Sequence, residues 1–355
     1  MNPNVLLPFM SSTLSFVFFV LLIDQYRARR RPYQLVWALG MLWYGISAGT
    51  EWMGSAFGWS EPLYRTWYLV GAIWVAAWLG LGTVYLLGRT RFGIAFAFSL
   101  LLAGLFTYLT QAKYDYPQSG IAPEVYGLIG LALAVGILVL SLRRSRHWVT
   151  LSGAAIAVGS IVALVMMATA TLPAPGYVVD PATHIPTGAL LPGYIRLLAP
   201  FFNITGAFAL TLGAMYSAYV FMPKRRLIRY ELRRGQPVPR LLANLLVAPA
   251  AVSVNFAASV PGAVKGMFDG TTNSRVPATI LIAIGGIIPA ITSGLNRFGD
   301  TSGFFVGEFL GVLFLFLGFL VSIEVFEQLR VPFTDRVLWQ RHARVAAGPG
   351  SGEAS

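Results

Sequence analysis

The chain has 355 residues, 56% of them hydrophobic and 11% charged, with a mean hydropathy of +0.67. Soluble proteins carry roughly 25% charged residues, so this composition excludes an ordinary soluble domain. The formal charge of +12 does not point to nucleic acid, because the arginines form short clusters between apolar runs, where they set topology and meet anionic headgroups.

Runs of about 18 or more apolar residues recur along most of the length, each able to cross a ~30 Å hydrocarbon core as a helix. Alternating segments of about ten residues, the mark of a membrane barrel, are not seen. The expected fold class is all-α, a polytopic helical integral membrane protein of about nine or ten transmembrane segments. The apolar N-terminus does not read as a cleavable signal peptide, since its arginines come after the apolar run instead of preceding it.

Segment 1 covers residues 5–23 and ends in Arg27, Arg29, Arg30 and Arg31. Segments 2 and 3 cover 34–57 and 63–87, the latter closed by Arg89 and Arg91. Segments 4 and 5 cover 92–110 and 125–142, with Arg143, Arg144 and Arg146 behind them. Segment 6 covers 149–171, and a Pro/Gly-rich loop, 172–192, leads to segment 7, 194–221. Basic residues thus close the odd-numbered segments, whereas the other loops hold only Arg65 at a border and Lys113. By the positive-inside rule the N-terminus lies outside the cytoplasmic membrane and the odd-numbered loops inside.

Residues 223–240 form a basic linker expected on the cytoplasmic headgroups. It separates a seven-helix membrane domain, 1–222, from a C-terminal membrane domain, 241–330, with apolar stretches at 241–264, 277–295 and 302–326. Three full spans would put the tail outside, yet the tail carries Arg330, Arg336, Arg341 and Arg344. Stretch 241–264 contains Pro249, Pro261, Asn244 and Asn255, so it is expected to re-enter or lie in the interface, leaving a helical hairpin after it. That gives nine spans with the tail inside; ten spans with the tail outside is the competing layout. Residues 331–355 read as a mostly disordered tail.

Seven of the nine tryptophans fall within residues 34–87, which makes this stretch the first place to look for a site. Glu51 lies in apolar sequence there, where an ionisable group is costly and faces a cavity or a partner. Trp37, Tyr44 and Glu51 recur every seven residues and share a helical face; Trp67, Trp74 and Trp78 make a similar stripe on segment 3. The functional reading is an outward-facing pocket in which Glu51 pairs with Arg65, with Trp52 and Trp67 as walls and Arg196 completing an anion-binding vestibule. The bland reading places Glu51 near the headgroups, the tryptophans in an interfacial belt and Arg196 snorkelling to lipid.

Glu308 sits beside Gly303, Gly307 and Gly311, a small-xxx-small stripe that lets two helices approach closely. It reads as a proton- or cation-binding carboxylate or as a structural hydrogen bond, with Asn296, Arg297, Thr301 or Asn203 as partner. His147, His184 and His342 fall in different loops, and cysteine is absent, so neither paired-histidine haem nor a zinc centre is expected. The aromatic stripes suit a pigment or a quinone, but lipid-facing aromatics give the same pattern, and the sequence names no cofactor.

Three functions fit these features. The first is a small-molecule or ion-binding membrane protein, a transporter or ligand sensor, using Glu51, Arg65, Arg196, Glu308, Asn203, Trp52 and Trp67. The second is a non-catalytic subunit of a larger membrane complex, docking a membrane-protein partner or a second copy through the glycine stripe. The third is an intramembrane enzyme on a lipid or isoprenoid substrate, for which no acid/base or metal constellation is visible. Membrane lipids are partners in every case.

Overall fold

The computed structural model describes residues 2–222, 225–229, 237–269, 275–297, 303–322, 328–334 and 336–340. Its helices are α1 (Pro3–Arg29), α2 (Pro32–Phe57), α3 (Glu61–Leu86), α4 (Phe92–Tyr114), α5 (Ala122–Leu142) and α6 (His147–Thr169). They continue as α7 (Leu198–Phe221), α8 (Val238–Phe268), α9 (Arg275–Arg297) and α10 (Phe304–Val321). Pro3, Pro32, Pro62 and Pro123 stand in first turns, where a missing N–H leaves no bond unmade. The chain is an all-α polytopic membrane protein.

Among the described residues, eight helices are long and apolar enough to cross a membrane. The outward faces of α4, α5 and α6 expose Phe98, Leu105, Leu128, Val158, Ile161 and Val165, an apolar belt that hydrocarbon, not water, must cover. Polarity is turned inward. Ser11, Ser12 and Ser15 of α1 are buried, and Ser12 Oγ donates to the Gly45 carbonyl at 2.8 Å. Lipid solvates apolar side chains as well as protein does, so close packing decides which helices associate. At the α3–α7 crossing Gly80 meets Gly206 backbone to backbone; a Cβ on Gly80 would stand 2.5 Å from the Gly206 carbonyl oxygen.

Helix α2 is 26 residues long but more polar than the eight, and its Gln34, Ser47, Thr50 and Glu51 are all buried. Its place is inside the bundle. One core joins Phe18 of α1, Trp37 and Met41 of α2, Leu79 of α3 and Leu210 of α7 to Ile282 of α9 and Leu315 and Phe319 of α10. The C-terminal helices therefore share their interior with the first seven segments.

Ring contacts show which helix ends meet. Arg275, at the start of α9, lies over the Phe221 ring at the end of α7, 4.1 Å from its centroid. The end of α7 and the start of α9 thus lie at one end of the bundle, joined through α8. Its Asn255 carboxamide accepts the Leu227 and Ile228 N–H groups at 2.7 and 2.9 Å, at that end too. Helix α10 runs parallel to α1, with Phe304 and Phe305 beside Leu7 and Phe319 against Phe18. The N-terminus and residue 322 thus lie at opposite ends of the bundle.

Part of the expected disordered tail is ordered. Strands β1 (Gln328–Arg330) and β2 (Val337–Gln340) form an antiparallel hairpin. Its turn docks on α1: the Phe333 N–H donates to Asp24 at 3.0 Å, and Arg27 lies over the Phe333 ring. These contacts outweigh a composition that lacks a core of its own. Thr301, half of the linker 223–240 and residues 341–355 lie outside the described residues.

Candidate functional site

Helix α3 is interrupted by a π-helical stretch, Tyr68–Trp74. The wider turn shifts the phase of the rest of the helix, and such insertions gather at functional sites. It splits the expected tryptophan stripe. Trp67 Nε1 donates to Glu51 Oε1 on α2 at 2.7 Å, Trp74 packs edge-on against Trp43, and Trp78 Nε1 reaches Ser160 of α6 at 3.2 Å. The π-turn also sets Gly71 against Ser47 of α2, so closely that a Cβ would overlap the Ser47 hydroxyl.

The regular seven-residue stripe on α2 is kept. Trp37 Nε1 donates to the Leu79 carbonyl at 3.1 Å, Tyr44 donates its hydroxyl to the Glu308 carbonyl at 2.7 Å, and Glu51 is fully enclosed. The Tyr44 bond fixes α10 against α2, which brings the Glu308 carboxyl within hydrogen-bonding reach of Glu51. Arg65, the cation the sequence offers Glu51, faces the other way. It pairs with Glu61 at 2.6 Å and donates to the Met167 and Ala170 carbonyls. Two residues separate Arg65 from Trp67, about half a helical turn, so when Trp67 meets α2 Arg65 must meet α6.

Two cavities meet at this point. The inner one, about 420 Å³, is walled by α2, α3, α4, α7, α9 and α10, with Val75, Leu79 and Phe208 as apolar lining and Asn203 among the few polar groups. Phe106, 44% exposed, stands at its rim, so the cavity reaches the lipid-facing surface between α4 and α9. The outer one, about 270 Å³, is lined by Trp67, Asn296 and Arg196, whose guanidinium lies 3.7 Å over the Tyr116 ring. Ser47, Gly71, Tyr116, Ser293, Phe304 and Glu308 line both and form the neck between them.

The segment after α6 covers the outer cavity. Val179 bridges Pro186, the Tyr64 hydroxyl donates to the Thr187 carbonyl, and Asn4 Nδ2 donates to the Thr183 carbonyl at 2.7 Å. Asp180 staples this loop by accepting the Thr183 and Ala182 N–H groups at 2.9 Å and the Thr183 hydroxyl at 3.1 Å. The Thr183 N–H, the largest influence, holds the Asp180 carboxyl below the usual carboxylate range.

Four buried polar atoms around the neck have no protein partner: Ser47 Oγ, Glu51 Oε2, Glu308 Oε2 and Asn296 Oδ1. Folded proteins satisfy most such groups, and a cluster of exceptions leaves room for hydrogen bonds to a proton donor, an ion, water or a ligand. An enclosed carboxyl group and a half-buried one at hydrogen-bonding range repel each other when both are ionised, and a proton or a cation between them relieves that repulsion. Among the described residues no three His, Cys, Asp or Glu gather as a metal site.

The remaining sequence candidates fall elsewhere. Trp52 packs on Phe9 and Phe57 away from both cavities. Gly307 and Gly311 are filled by Thr292 and Pro289 of α9, and Gly303 lies at the start of the same contact. The stripe thus joins two helices of one chain. Sequence reading missed Ser47, Gly71 and Tyr116. Only the small-residue run around Ser47 hinted at close approach, and nothing in the sequence signals a π-turn. No protein-family model, curated protein or solved structure matches this chain.

Proposed function

We propose that the protein binds a small molecule in the two-part cavity and takes up a proton or a cation at Glu51 and Glu308, as a transporter or ligand sensor of the cytoplasmic membrane. The observation that carries this reading is the cluster of four unpartnered buried polar atoms at the neck. The walls set the ligand class: an apolar body in the inner cavity and a polar or anionic head toward Arg196. The rim at Phe106 supports a lateral path for a ligand dissolved in the bilayer. The arginines after α1, α3 and α5 support an N-terminus on the outer face, with the loop-covered cavity facing outward.

Native mass spectrometry of the protein, extracted in mild detergent from its own membrane, is the direct test. The expected result is a discrete small-molecule mass retained by the wild type and lost from Phe208→Trp, which fills the inner cavity. Proton or cation uptake is read separately, as proton release or sodium-dependent stabilisation abolished in the Glu51→Gln, Glu308→Gln double variant. A folded wild-type protein that shows neither would sink the proposal.

A further inference from the structure

A second polar cavity, about 420 Å³, lies at the opposite end of the bundle from Glu51, between the α3–α4 and α5–α6 turns. Arg89 and Arg91 reach it from the first turn, Arg144 and Arg146 from the second, and none of the residues lining it is acidic. Both turns are built by their own hydrogen bonds. Thr90 Oγ1 donates to the Leu87 carbonyl and accepts the Phe92 N–H, while the Arg144 and Ser145 N–H groups return to Ser141 and Leu140. The turns therefore hold the arginines together without help from any counter-charge.

Two features separate this cradle from an ordinary solvated basic loop. Ser141 is 5% exposed and borders the cavity, and its hydroxyl, packed against Gly93, has no protein partner. A helical serine ordinarily returns its proton to a carbonyl one turn back, as Ser152 and Ser160 of α6 do, so Ser141 keeps an unused donor at the edge of the cavity. Arg144, moreover, sits at φ 57°, the left-handed region, where glycine or asparagine would be at ease. Buried Trp148 closes the floor.

We propose that this cradle binds a phosphate oxyanion. Planar guanidinium forks match phosphate oxygens in pairs, and a buried hydroxyl adds a donor that a diffuse ion atmosphere would not need. The same chemistry is offered by the headgroup of an anionic phospholipid and by free phosphate. The site is independent of the carboxyl pair and stands whether or not that pair binds a ligand.

The test compares wild type with Arg144→Gly and Ser141→Ala. Glycine is favoured at φ 57°, so Arg144→Gly is expected to leave or raise the melting temperature while removing one fork. Inorganic phosphate is titrated against chloride at matched ionic strength. In parallel, the protein is melted in nanodiscs of phosphatidylcholine with and without phosphatidic acid. A phosphate-dependent rise in melting temperature, weakened roughly tenfold in half-saturation by Arg144→Gly, assigns the site to free phosphate. A rise with phosphatidic acid alone, lost in Arg144→Gly and reduced in Ser141→Ala, assigns it to a lipid headgroup. Equal responses in all three proteins, or none in the wild type to either probe, overturn the proposal. Should Arg144→Gly fail to fold, Arg91→Gln gives the same comparison without touching the left-handed turn.

Discussion

The carboxyl pair at the neck and the arginine cradle at the basic end are both clusters of like charge, yet the chain surrounds them in opposite ways. Glu51 is wholly enclosed, and it takes α2, the π-turn of α3 and α10 to place Glu51, Trp67 and Glu308 together. The arginines lie exposed on two short turns, with their charges in water. An unpartnered polar group in an apolar interior costs several kcal/mol, whereas an exposed arginine costs almost nothing. The interior cluster is therefore bound up with folding, and the cradle can be altered without it. Substitutions should separate the two regions by size of effect.

The largest effect is expected of Glu51→Leu. It strands the Trp67 N–H and leaves Glu308 without its counterpart, a loss of about 2–3 kcal/mol in unfolding measured in detergent. A variant as stable as wild type would show that the pair is not enclosed as described. Next comes Gly307→Leu. Its side chain must displace Thr292, whose branched Cβ cannot swing aside on a helix, so α9 and α10 part at a cost of about 1–3 kcal/mol. Because Ser293 and Asn296 of α9 line the outer cavity, ligand retention in native mass spectrometry should fall with stability. Glu51→Gln keeps the shape and can still hydrogen-bond Glu308, so its stability change is expected below about 1 kcal/mol. With Glu308→Gln added, the infrared carbonyl band of a protonated carboxylic acid should disappear; its persistence in the double variant would exclude a proton on this pair.

How far each region could be read from sequence obeys the same physics. An acid inside an apolar run is expensive, so Glu51 and Glu308 stand out in the bare sequence, and the stripe of Trp37, Tyr44 and Glu51 marks the face on which they meet. The pairing itself is illegible. Arg65 looks like the partner of Glu51 because both are rare in apolar sequence, but a two-residue offset from Trp67 turns it to α6. A π-turn changes the phase of a helix by backbone geometry alone, so Trp67, Trp74 and Trp78 read as one stripe and become three separate contacts. The arginines of the cradle are legible as charge and mute as a site, since such residues are common in every inner loop. Only the unpartnered hydroxyl of Ser141 and the backbone of Arg144 distinguish them.

At the basic end, Arg89→Gln should change unfolding free energy by less than about 0.5 kcal/mol while weakening phosphate dependence. A large destabilisation would mean the cradle is structural after all. The smallest effect belongs to the loop over the outer cavity. Asp180 is ionised more readily in the folded protein than in the unfolded chain, because the Thr183 and Ala182 N–H groups and the Thr183 hydroxyl point at its oxygens. A carboxyl lowered in this way contributes to loop stability above the ordinary carboxylate range, and the contribution is lost as pH falls through its lowered value. Acidification from neutrality to the mildly acidic range should therefore leave hydrogen exchange at Ala182 and Thr183 governed by its intrinsic pH dependence. Below about pH 4 protection at those two amides should drop, while helix α2 stays protected. Asp180→Asn retains an acceptor but no charge, so it should lower protection already at neutral pH and flatten the acid transition. If the variant and wild type lose protection at the same pH, some other carboxyl holds the loop, and the cover over the outer cavity is tied down elsewhere.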